Sequence, residues 1–79
     1  MVPRLSDMKY IAGYRLWLVF EDGSQGEIDL GEELWGEMFE PLKDLGFFKT
    51  VRLDKELNTI TWENGADFAP EFLYKKVTS

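Results

Sequence analysis

The chain contains no cysteine and no histidine. Without thiols there is no disulfide to support the core and no thiolate metal centre. The commonest general base and the most reactive nucleophile are also missing. Long apolar runs are lacking too. The longest, residues 16–20, is far short of the ~20 residues that a membrane-spanning helix requires. Met1-Val2-Pro3-Arg4 does not supply the apolar stretch of a secretion signal. These absences lead to the expectation of a soluble cytoplasmic protein. The last absence is local: residues 21–40 hold no Lys or Arg, yet they carry eight of the fifteen carboxylates.

What is present must therefore fold with little help. Seventy-nine residues make a single domain, 1–79, near the lower end of sizes that are stable alone. Six Phe, three Trp and three Tyr are the main source of buried area, since each large aromatic removes about 150–250 Å² from water. A net charge of −6 and a pI near 4.5 argue against direct binding of nucleic acid, because phosphate is repelled by such a field.

Local patterning predicts strands first. In residues 15–21, Leu16, Leu18 and Phe20 alternate with Arg15, Trp17, Val19 and Glu21. Asp22-Gly23 is a hairpin signal, and the return strand, 25–30, turns Ile28 and Leu30 inward and Glu27 and Asp29 outward. A shorter strand over 8–12 turns at Gly13 to join them. Residues 31–40 change period. Leu30, Leu34, Trp35, Met38 and Phe39 repeat at three and four, which predicts an amphipathic helix with Glu32, Glu33, Glu37 and Glu40 outside and Asp29 at its start. Pro41 ends that helix or opens a short turn to Leu45, with Gly46 as a C-cap. Strands follow over 47–53 and 59–63, and Asn64-Gly65 marks a second tight turn. Asp67 is expected to bond amides at the start of a last short helix from Pro70. The order favours an α+β fold: an antiparallel sheet of about five short strands packed against one amphipathic helix, with a short C-terminal helix.

The second half of the chain carries a resemblance. Phe39-Glu40-Pro41-Leu42-Lys43-Asp44, Phe48-Lys49-Thr50-Val51-Arg52-Leu53-Asp54, Ile60-Thr61-Trp62-Glu63-Asn64-Gly65-Ala66-Asp67 and Pro70-Glu71-Phe72-Leu73-Tyr74 occur in one order. With Leu16-Trp17-Leu18-Val19-Phe20-Glu21-Asp22-Gly23 and Ile28-Asp29-Leu30, the ordered set resembles the small bacterial family known as domain of unknown function 2442. Glu63 departs from the pattern, where relatives more often have proline. The resemblance implies an α+β domain in a bacterial, intracellular setting and no assigned chemistry. It also implies a link to regulation: some relatives carry a DNA-binding helix-turn-helix after this domain, and some stand beside a small partner in toxin–antitoxin-like pairs. Ending at Ser79, the chain is expected to lack that helix-turn-helix.

No catalytic, cofactor or metal site is expected. Ser6, Ser24 and Ser79 have no neighbouring base, the glycines stand singly at turns, and Asp22, Glu27 and Asp29 do not match a calcium loop. Two groups of residues are candidates for binding a partner. Trp17 and Val19 face away from the leucine side of their strand. They form either an exposed interface or a patch covered by the amino-terminal segment or the last helix. Glu33, Glu37 and Glu40 flank Trp35, and form either a steering surface for a basic partner or an ordinary solvated face. The leading expectation is a non-enzymatic protein-binding or regulatory module, antitoxin-like, with a basic partner or a second copy of itself. The alternatives are a regulator acting on DNA only through a partner, and a small-ligand-binding domain.

Overall fold

The computed structural model describes residues 2–79. Three antiparallel strands come first: β1 Leu5–Ala12, β2 Arg15–Phe20 and β3 Gln25–Asp29, in the spatial order β1-β2-β3. Strand β2 runs down the middle, placing Trp17 between Lys9 and Glu27 and Leu18 between Met8 and Gly26. The β2–β3 turn is closed by Gly23 at φ +91°, a conformation glycine adopts without a Cβ penalty. The Asp22 carboxylate takes the Ser24 amide there at 2.9 Å.

Residues 31–40 do not form the helix that their spacing predicts. A single 3₁₀ turn, Gly31–Glu33, is followed by irregular chain and a second 3₁₀ turn, Glu40–Lys43. The Asp29 carboxylate accepts the Gly31 amide at 2.8 Å, so it does serve the start of the first turn. Gly36 then takes φ +91° and ends any helical path. Leu30 and Leu34 are buried and Phe39 is half-buried, whereas Trp35 and Met38 point outward. The three-and-four spacing arises from a loop that inserts its apolar residues one by one.

The next segment also departs from expectation. Phe47 and Phe48 belong to a helical turn, α1 Leu45–Phe48, in which Asp44 caps the Gly46 amide at 3.0 Å. Gly46 is thus inside the turn rather than at a C-cap, and the strand β4 is only Arg52–Asp54. It pairs antiparallel with β5 Thr59–Thr61 to make a separate two-stranded sheet. Thr59 and Thr61 are buried along with Ile60, not outward-facing. Their hydroxyls donate to the Phe68 carbonyl and, at 2.9 Å, to the Ala66 carbonyl. Asn58 joins the two sheets by taking the Leu5 amide on its carbonyl oxygen at 2.7 Å.

The last helix, α2 Pro70–Thr78, begins at Pro70 as expected, but Asp67 is exposed and makes no cap. It lies against β3 on the leucine side of the large sheet. A Cβ on Gly26 would sit 3.5 Å from the Val77 carbonyl, and Tyr74 packs edge-on against Phe20 at 5.0 Å. The centre is aromatic. Phe48 contacts Tyr14 and Trp62, Trp62 contacts Phe68, and Phe68 stacks between Phe39 and Phe72. Trp62 is 1% exposed and donates its indole N–H to the Phe48 carbonyl at 3.0 Å. The class is α+β with five antiparallel strands, divided three and two. The leucine face is covered by loops, β4–β5 and α2 instead of one amphipathic helix.

Candidate functional site

The candidate residues fall on two surfaces. Trp17 and Val19 lie on the outer face of the three-stranded sheet, with Asp7, Lys9, Arg15, Gln25, Glu27 and Asp29. Helix α2 packs on the opposite face, and Val2 packs against the core, so neither the last helix nor the amino-terminal segment covers Trp17. Its exposure is 36%, because Lys9 and Glu27 flank it on the neighbouring strands. Val19 is half-buried.

Trp35 and Glu37 lie on the loop between the two 3₁₀ turns, and Glu40 opens the second turn. Trp35 is 72% exposed, more than any other large apolar side chain described. The loop is nonetheless held in place: Leu34 and Leu42 anchor it in the core, and Asn64 donates its side-chain amide to the Met38 carbonyl at 2.9 Å. An open depression lined by Gly36, Glu37, Glu40 and Pro41 follows directly after Trp35.

The acidic stretch is partly neutralised by bases from elsewhere. Glu33 reaches Lys76 of α2 at 3.8 Å, Glu40 pairs with Lys43 at 3.1 Å, and Glu27 with Arg15 at 3.4 Å. Among the described residues, Glu37 has no base within ion-pair distance. Glu33 is therefore turned toward α2 and is not part of an open acidic face. Among the described residues, no hydrogen bond or ion pair joins the Trp17 surface to the Trp35 surface. The structure places the two groups on different surfaces.

Asp22 has a second role that its turn position did not reveal. The Tyr74 hydroxyl donates to its carboxylate at 2.6 Å, pinning α2 to the β2–β3 turn. That bond, followed by the Ser24 amide, holds the Asp22 carboxyl below the usual aspartate range. No sequence signal links positions 22 and 74, since only the packing of α2 brings them together. Among the described residues, no three acidic side chains converge to hold a metal ion. Among the described residues, no helix is long and apolar enough to cross a membrane.

Residues 5–79 match the family described as "Protein of unknown function (DUF2442)". The chain belongs to the DUF2442 family. No curated protein and no solved structure matches it. For this DUF2442 member, what can bind must be read from its two open surfaces.

Proposed function

We propose that this chain is a small non-enzymatic protein-binding module that docks a basic partner on the loop carrying Trp35. The observation that carries the reading is Trp35 itself, 72% exposed on a loop anchored by buried neighbours. A tryptophan held out on a fixed backbone loses little conformational freedom on binding, and tryptophan is the residue type most enriched among interface hot spots. Glu37 beside it, with no base within ion-pair distance among the described residues, favours a cationic group. An Arg or Lys of the partner would stack on the indole face while meeting the carboxylate. The overall charge of −6 adds long-range steering toward a basic protein.

The absence of His and Cys supports a non-catalytic role. Within this reading the module is the regulatory, antitoxin-like member of a bacterial gene pair and works in the cytoplasm. Any effect on DNA passes through the partner. Affinity capture from the source cells at low ionic strength tests this. The expected result is a basic protein that is retained by the wild type, released by added salt and lost with Trp35→Ala. Capture indifferent to both salt and the substitution would contradict it.

A further inference from the structure

The outer face of the three-stranded sheet carries a charge pattern that fits a second copy of itself. In register across the strands stand Lys9 on β1, Trp17 on β2 and Glu27 on β3. Lys9 and Glu27 lie two strands apart, roughly 10 Å, so they do not pair within one chain. From the geometry of this row we infer that the face packs against the same face of another molecule, around a two-fold axis running along β2.

The axis follows from the charges. Rotation about a line parallel to β2 sets β1 of one molecule over β3 of the other, so each Lys9 meets the other copy's Glu27 and the two Trp17 rings meet at the centre. A two-fold axis across the strands would instead set Lys9 over Lys9 and Glu27 over Glu27. Only the first arrangement joins unlike charges, and its symmetry makes each contact twice. Arg15 is the one like-charged residue near the axis. It leans toward Glu27, 3.4 Å away, and the ~30° rotation usual between packed sheets draws the two copies of it further apart. Ile11, 38% exposed, forms an open apolar depression with Lys9, Tyr10 and Trp17, and so extends the apolar centre.

Size sets the strength. Three strands at ~4.8 Å spacing and about six residues at ~3.4 Å each give a flat patch of roughly 300 Å². That is well under the ~800 Å² per partner of a standard interface, so the dimer is weak and forms only at high concentration. The inference does not depend on the Trp35 reading, because it uses a different surface.

Sedimentation equilibrium of the full chain up to ~1 mM tests it, together with the variants Lys9→Glu and Glu27→Lys. Both sites are exposed, and circular dichroism and melting temperature confirm that each variant stays folded. The wild type is expected to shift from monomer toward dimer with concentration. Each variant alone sets like charges against each other twice over and is expected to associate at least ~10-fold more weakly. An equimolar mixture of the two restores every Lys–Glu pair and is expected to associate at least as well as the wild type. Any of three results would overturn the inference: a wild type monomeric throughout, variants that self-associate like it, or a mixture that stays monomeric. The first would leave the face to a foreign chain.

Discussion

Trp35 and Gly36 make opposite demands on a single position each, and both can be measured. Trp35 is mostly in water, so Trp35→Ala removes little buried area. The melting temperature is expected to move by no more than ~4 °C, since surface substitutions fall within about 0.5 kcal/mol. Partner binding is expected to fall by at least ~10-fold, the loss of a hot-spot tryptophan. Gly36 has open space where a Cβ would go, so Gly36→Ala is limited by backbone alone, at φ +91°. A cost of about 1–2 kcal/mol, read by urea unfolding, is expected.

Asp22 and Tyr74 form a third residue-scale case, with a pH signature. The folded state holds the Asp22 carboxyl below its ordinary value, which is ~3.9 in an unfolded chain. The stability it contributes is fully present above that value and is lost as pH falls through the lowered folded value. Tyr74→Phe removes the donor. It is therefore expected to destabilise the protein at pH 7 and to lose most of that effect well below pH ~3.9. Equal destabilisation at both extremes would show that the hydroxyl acts through something other than the carboxylate.

Among the elements, the aromatic layer under β4–β5 decides stability. Trp62 is enclosed, and its indole N–H donates to the Phe48 carbonyl alongside the Val51 amide. Trp62→Phe keeps an aromatic ring but removes one of that carbonyl's two donors, leaving the Val51 amide at 3.2 Å, for an expected loss of about 0.5–1.5 kcal/mol. Trp62→Ala also opens a cavity, and ~3–5 kcal/mol is a large share of the margin of a domain this size. Thermal melts of the two variants should rank in that order.

How far these elements could be read from the sequence depends on what fixed them. Strands β2 and β3 were legible because one face of the sheet is buried and the other is open, which writes a period of two into Leu16, Leu18 and Phe20. Asp22-Gly23 and Pro70 announced a turn and a helix start by local chemistry alone. Residues 31–40 misled because burial of Leu30, Leu34 and Phe39 from an irregular loop imitates helical spacing. Gly31 and Gly36 were the contrary signal, each disfavouring a helix by about 1 kcal/mol. Phe47 and Phe48 read as a strand because the Asp44 cap on the Gly46 amide leaves no mark in the apolar pattern. Of the site, Trp17 stands out because it faces away from Leu16 and Leu18, with its covering left open, whereas Trp35 falls in the apolar stripe of residues 31–40 and its exposure is not legible. Nor is the pairing of Glu33 with Lys76, since it depends on where α2 packs.

For the molecule as a whole, the three ion pairs show that the acidic stretch is less acidic in the fold than in the chain. Exposed pairs are worth about 0–1 kcal/mol each, so a basic partner can still recruit Glu40 from Lys43. The net charge of −6 nevertheless acts at long range, and association with a basic protein is expected to slow as salt rises while the dissociation rate changes less. Stopped-flow mixing at two ionic strengths reads both rates. Docking of a basic protein on the Trp35 loop is read out by site-specific photo-crosslinking in the source cells. A photoreactive residue would replace Trp35 or, as a control on the β4–β5 turn, the exposed Leu57. One basic protein is expected to be joined through position 35, absent from position 57 and lost when Glu37→Lys is added. No adduct at 35, or the same adduct from both positions, would contradict it.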